Sequence, residues 1–221
     1  HFLTLDNRHK EMELEGIEIS YKVMVLGEHA VGKTNLTLRY SKNQFDSSKK
    51  ATIGVDICDV VFEFAGKKKT IQLWDTAGQE RFRSQSLQGL KGASSVILVF
   101  DLTRRSTFEA IETFLKAVRA TCDSKIPILV VGNKMDLIEE REVSAEQIEI
   151  FASENNLKVF ELSALEDSEG KVKKVFDEFF IDMITNEEEN EKISESQIME
   201  GMRRSTLKIK EFKKPPEKKC C

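Results

Sequence analysis

Eight consecutive residues, Gly27-Glu28-His29-Ala30-Val31-Gly32-Lys33-Thr34, fit the pattern G-x-x-x-x-G-K-[ST]. Glycines at the two ends let the backbone curl so that successive N–H groups point into one concavity, a geometry suited to phosphate oxygens. Lys33 would add a mobile positive charge for the outer phosphates, and the Thr34 hydroxyl is a hard oxygen of the kind that Mg²⁺ accepts. The motif follows the apolar run Val23–Leu26 and opens a helical pattern, which is the setting it needs.

Three more short segments bear on the same chemistry. Leu73-Trp74-Asp75-Thr76-Ala77-Gly78-Gln79-Glu80 ends another apolar run. There Asp75 could reach the metal shell, the Gly78 N–H a terminal phosphate, and Gln79 an attacking water. Asn133-Lys134-Met135-Asp136 follows the run Ile126–Val131, and Ser163-Ala164 follows Lys158–Leu162. A carboxylate such as Asp136 can accept two hydrogen bonds from guanine N1–H and its 2-amino group; adenine lacks that donor pair. The set therefore predicts a guanine nucleotide.

The elements that must position these residues alternate in type. Short apolar runs at Val23–Leu26, Thr70–Trp74, Val96–Phe100, Ile126–Val131 and Lys158–Leu162 read as buried parallel strands. Phe108, Ile111, Phe114, Leu115 and Val118 keep helical spacing, as do Val172, Val175, Phe176, Phe179, Phe180 and Met183. One stretch departs from the alternation: Ile53–Phe64, Ala65-Gly66-Lys67 and Lys68–Trp74 read as an antiparallel hairpin. The expected fold is α/β, a mixed, mostly parallel sheet of about six strands with helices on both faces.

At 221 residues with 40% hydrophobic and 33% charged content, the chain has room for one ordinary domain plus tails. Its apolar runs fall far short of the ~20 residues a spanning helix needs, and nothing near His1 reads as a secretory leader. Cys58, Cys122, Cys220 and Cys221 form no metal-binding spacing, and the usage suits a reducing compartment. Charge is uneven. From Arg203 onward eight Lys/Arg face Glu211 and Glu217, leaving the tail at +6 and residues 1–202 at −10. Such a tail suggests an acidic surface, membrane lipid or nucleic acid; with Phe212 its one aromatic, it offers no stacking platform for nucleic acid. Asn186–Met202 holds six Glu against one Lys and reads as a solvated helix extension or a linker. Expected boundaries are 1–19 as an extension, 20–185 as the domain, and 186–221 as an acidic, then basic tail.

Together these motifs, in this order over residues 20–185, resemble the small GTPases with their P-loop domain. Thr52-Ile-Gly-Val-Asp56, Trp74-Asp-Thr-Ala-Gly-Gln-Glu-Arg-Phe-Arg83 and Cys220-Cys221 make the resemblance one to the Rab family. The resemblance implies a slow GTPase that binds GTP and GDP with Mg²⁺ and times vesicle traffic. It assigns Gln79 to catalysis and Thr34, Thr52 and Asp75 to the metal. Nucleotide contacts fall to Gly27, Glu28, His29, Ala30, Val31, Gly32, Lys33, Thr34, Phe45, Thr52, Asp75, Gly78, Asn133, Lys134, Asp136, Ser163 and Ala164. Phe45 would pack on the base and the Ala164 N–H would meet its O6, although Phe45 and Trp74 taken alone read first as core. Paired Cys220 and Cys221 imply double geranylgeranylation and residence on the cytoplasmic face of an intracellular membrane, in exchange with cytosol. Implied partners are an exchange factor, a GTPase-activating protein, effectors and a prenyl-binding escort, around a monomer.

Several positions depart from the family pattern. His29 and Ala30 stand where small residues, the second generally Gly, are usual. Bulk at His29 would slow hydrolysis if it faces the γ-phosphate and do nothing if it faces solvent. Ile57 replaces a usual Phe, Gly89-Leu90-Lys91-Gly92-Ala93 replaces a Tyr-Tyr-Arg-Gly-Ala run, and Leu165 replaces a Lys. The first two changes should shift partner choice, and Leu165 the affinity for the base. Two rival readings are a GTP-loaded scaffold with negligible turnover and a nucleotide kinase, which would leave Asp75–Gln79 and Asn133–Asp136 without a purpose.

Overall fold

The apolar run after Ser20 forms the buried centre of a sheet. The computed structural model describes residues 20–48, 51–78 and 89–212. Strand β1 (Ser20–Leu26) lies between β3 (Lys67–Thr76) and β4 (Ser95–Asp101), parallel to both. Outward from β4 follow β5 (Ile128–Asn133) and β6 (Lys158–Glu161), again parallel. On the other side β2 (Val55–Phe64) pairs antiparallel with β3 and forms the edge, so the sheet order is β2-β3-β1-β4-β5-β6. The expected mixed, mostly parallel six-stranded sheet is present.

The hairpin turn is two residues long. Ala65 and Gly66 both take positive φ (50° and 74°), which matches the twist of the strands they join, and Lys67 already belongs to β3. Strand β5 starts at Ile128, two residues later than the apolar run suggests, because Pro127 has no N–H for the ladder. The Pro127 carbonyl still accepts from the Val96 N–H at 3.0 Å.

Burial on both faces explains why the strands read as continuous apolar runs. Met24, Leu26, Val96, Leu98, Phe100 and Val130 share one face with Ile111, Phe114, Leu115 and Val118 of helix α2 (Arg105–Thr121). Val23, Val25, Ile97, Val99, Leu129 and Val131 alternate onto the other face and are equally buried. Helix α1 (Lys33–Lys42) is buried through Leu36 and Tyr40. Tyr40 stacks at 5.3 Å on Phe176 and donates to Asp177 at 3.0 Å, both in helix α4 (Lys171–Phe212).

A helix between β5 and β6, α3 (Ala145–Asn155), lies beyond the apolar patterns identified above. Its start is a capping box: Ser144 accepts from the Gln147 N–H while the Gln147 side chain accepts from the Ser144 N–H. The chain divides into two units, one ending at Phe179 that carries the sheet and one beginning at Phe180 that carries the rest of α4. Helix α4 continues through Asn186–Met202, so of the two readings of that stretch the helical one holds. Among the described residues no helix is long and apolar enough to cross a membrane.

Candidate nucleotide site

Chain connections leave the sheet in opposite directions on either side of β1, and a crevice opens outside the carboxyl ends of the strands at that point. Four of the motifs singled out in the sequence follow those ends, while Thr52–Asp56 runs into the start of β2. Gly27 follows β1, Asp75 and Gly78 close and follow β3, Asn133 ends β5, and Ser163 follows β6. Between them lies a cavity of about 560 Å³.

The phosphate-type loop is shaped by backbone conformations that side chains resist. Gly32 caps α1 in the left-handed region (φ 93°), and no side chain caps the helix, so its first N–H groups are left for another partner. A Cβ on Gly32 would collide with the Asn133 amide, and one on Gly27 (φ 151°) with the Val99 carbonyl. Ala30, where a Gly is usual, adopts φ 58° with its Cβ in place. Lys33 is 6% exposed and donates to the carbonyls of Gly27 and Glu28, each at 2.9 Å. Burial lowers its pKa to about 8, against the pull of Asp75 and Glu28. A Cβ on Gly78 would fall on the Glu28 carbonyl and 2.5 Å from Lys33 Nζ, so that glycine permits the close approach.

Three oxygens meet beside this loop. Thr34 Oγ1 donates to Asp75 Oδ2 at 2.5 Å and lies 3.0 Å from Thr52 Oγ1, which is 3.4 Å from the same carboxylate oxygen. Two hydroxyls and one carboxylate from three separate segments form a hard-oxygen set that fits Mg²⁺.

At the opposite end Phe45, Asp136, Lys134, Ala164 and Leu165 line the cavity. Phe45 is 36% exposed, so it is a cavity wall and not a core residue. Asn133 is 1% exposed and acts as a brace: its Nδ2 donates to the Val31 carbonyl at 2.9 Å, and its Oδ1 accepts at 3.1 Å from the Ala164 N–H, which was expected to face the base O6 and here is given to Asn133. Lys134 takes a left-handed backbone (φ 68°), and its Nζ lies 2.7 Å from the buried Asp101 carboxylate. Burial works to raise the Asp101 pKa, but hydrogen bonds from Lys134 and Thr103 outweigh it and hold the carboxyl below its ordinary value. Arg104 joins the same carboxylate at 3.0 Å and donates to the His29 carbonyl at 2.7 Å.

Of the expected contact residues, His29, Ala30, Gly32, Lys33, Thr34, Phe45, Thr52, Gly78, Asn133, Lys134, Asp136 and Ala164 line this one cavity. Gly27, Glu28 and Val31 support it through their carbonyls, Asp75 stands behind Thr34, and the Ser163 hydroxyl holds its loop by accepting from the Glu166 N–H at 2.8 Å. Gln79, Cys220 and Cys221 lie outside the described residues. Asn35, Asp46, Ser47, Ala51, Thr76 and Leu137 also line the cavity without having been expected, and Leu165, which stands where a Lys is usual, lines its base end. Asn35 and Asp46 bond reciprocally, amide to carbonyl at 3.1 Å and N–H to amide oxygen at 3.0 Å, a pairing across 11 residues that local pattern does not reveal.

The Ras family model matches residues 22–185. The Ras-related protein RABA5b of Arabidopsis thaliana is 42% identical over 151 residues, covering 68% of this chain and 70% of its own. The GTP-binding protein ypt3 of Schizosaccharomyces pombe is 41% identical over 148 residues, covering 67% and 69%. Similarity to the Ras-related protein rab-11.1 of Caenorhabditis elegans extends further, at 34% over 201 residues, 91% of this chain and 94% of the relative. This chain belongs to the Ras family, as a Rab-type small GTPase. As a Rab it binds guanine nucleotide, hydrolyses GTP and regulates membrane traffic. Among the described residues, the cavity at the strand ends has a volume and polar lining compatible with a nucleotide.

Proposed function

We propose that the cavity holds GTP or GDP with the phosphates against Gly27–Thr34 and the base between Phe45 and Ala164, read by Asp136. The observation that carries this is convergence: a buried ammonium, two hydroxyls backed by the Asp75 carboxylate, and the Asp136 carboxylate come from four separate segments to one space of nucleotide size. Mg²⁺ would be held by Thr34, Thr52 and Asp75, and when bound it neutralises charge on the outer phosphates. Lys33 exchanges its two backbone carbonyls for phosphate oxygens, and Gln79 orients the attacking water. Because Thr52 and Gly78 touch the region of the terminal phosphate, loss of that phosphate releases both segments, and partners read the change.

Residues 20–185 form the switch and 186–221 the tail. Lipids on Cys220 and Cys221 would supply two-chain anchoring, with the basic tail facing an anionic cytoplasmic surface. Exchange factor, activating protein, effectors and escort are the partners this cycle requires. Ile57, 48% exposed and paired across the hairpin with Trp74, belongs to the face that effectors would read.

The test is competition against fluorescent GDP on the full chain. GDP and GTP should displace it, ADP should not, and chelation of Mg²⁺ should speed release. Asp136→Ala should abolish the preference over ADP. Equal displacement by GDP and ADP in the unaltered chain contradicts the reading.

A further inference from the structure

Arg39 sits in the last turn of α1, where a basic side chain ordinarily does no more than complement the helix dipole. Here its guanidinium is committed in two directions. Nε donates to the Ala164 carbonyl at 2.9 Å and Nη2 to the Leu165 carbonyl at 3.2 Å, across 125 and 126 residues of chain. Nη1 donates to the carbonyl and side-chain oxygen of Asn43, each at 3.1 Å. Asn43 is the left-handed cap (φ 51°) where α1 ends, two residues before Phe45. One planar cation thus ties together the two walls of the base end of the cavity, Phe45 and Ala164–Leu165.

Neither wall is regular structure. The Ser163–Leu165 segment follows β6 and the Phe45 segment follows α1. Apart from the Asn133 brace on the Ala164 N–H, the Ala164–Leu165 carbonyls have Arg39 as their donor among the described residues. Charge-assisted bonds to two successive carbonyls fix the direction of the intervening peptide, which a single bond does not.

We infer that Arg39 is a positioning residue for base recognition: it fixes the loop carrying Ala164 and Leu165 against the end of α1 and so sets the shape of the base end of the cavity. The inference rests on the nucleotide reading above. Arg39 does not line the cavity; it acts through the two walls.

The experiment measures release of GDP, 6-thio-GDP and inosine diphosphate from the full chain, unaltered and as Arg39→Ala and Arg39→Lys. The 6-thio analogue alters the base position that the nucleotide reading sets against the Ser163–Leu165 loop; inosine diphosphate removes the 2-amino group that Asp136 would read. Arg39→Ala should speed GDP release on the order of tenfold to a hundredfold. It should also shrink the preference for GDP over 6-thio-GDP while leaving the preference for GDP over inosine diphosphate in place. Arg39→Lys, which can satisfy one carbonyl at a time, should fall between. A merely destabilising substitution would speed release of all three alike, and that result, or no change, overturns the inference. Failure of the unaltered chain to hold GDP would instead overturn the nucleotide reading itself.

Discussion

Asn133→Ala is the substitution whose cost can be worked most directly from the structure. The side chain is buried and makes one bond to the phosphate loop (Val31 carbonyl, 2.9 Å) and one to the base loop (Ala164 N–H, 3.1 Å). Both partners are themselves buried, Val31 at 0% and Ala164 at 3% exposure, so water cannot replace the lost amide without rearrangement. Each orphaned group costs about 1–3 kcal/mol, which gives about 2–6 kcal/mol for the pair. The chain can recover part of this by letting the two loops separate, and separation opens the nucleotide cavity. A loss of about 3 kcal/mol expressed as affinity is roughly 150-fold faster GDP release at unchanged association. The assay is displacement of bound fluorescent GDP by excess GDP, with the thermal midpoint of the nucleotide-loaded protein followed in parallel. Asn133→Asp should do no better, since its second oxygen would face the Val31 carbonyl where a donor is needed. Release within threefold of the unaltered chain, at unchanged thermal midpoint, would refute the bracing role.

Three further predictions use the same geometry. Ala30→Gly removes a side chain from a left-handed position, relieving about 1 kcal/mol against a smaller gain in unfolded-state entropy. The thermal midpoint should therefore rise by about 1–3 °C, and a fall would contradict the strain. Asp101 has a depressed folded pKa, so its carboxylate stabilises the fold above the ordinary carboxylate pKa, and this stabilisation is lost as pH falls through the folded value. Asp101→Asn should lower the thermal midpoint at neutral pH, and the gap should close below about pH 4 in a melting series. His29 is exposed at the cavity and anchored by its carbonyl to Arg104. His29→Gly should speed single-turnover GTP hydrolysis; an unchanged rate places the imidazole in solvent.

The fold was legible because the central strands β1, β4 and β5 are buried on both faces and four motifs follow strand ends; the largely exposed edge strand β2 was read from its Gly-containing turn. Thr34, Thr52 and Asp75 are far apart in the chain; the resemblance to the Rab family grouped them, and their oxygens do lie together. Helix α3 was not legible through apolar period, since Ile148 is its one buried position and Ile150 is 52% exposed. Its Ser144-x-x-Gln147 start was the signal that could have revealed it. The braces Arg39, Arg104 and Asp101 act through backbone carbonyls or long-range ion pairs, and residue type at one position carries no trace of such a contact. Asn133 was expected to line the base; its amide is in addition committed to holding two loops together.

The measurement that bears most directly on the central claim is single-turnover hydrolysis of GTP by the full chain, with Mg²⁺ and with no partner protein. Slow first-order conversion to GDP, lost on chelation and in Gln79→Leu, is the result this account predicts. Tight retention of GTP without conversion would contradict a self-sufficient switch and leave a GTP-loaded scaffold in its place.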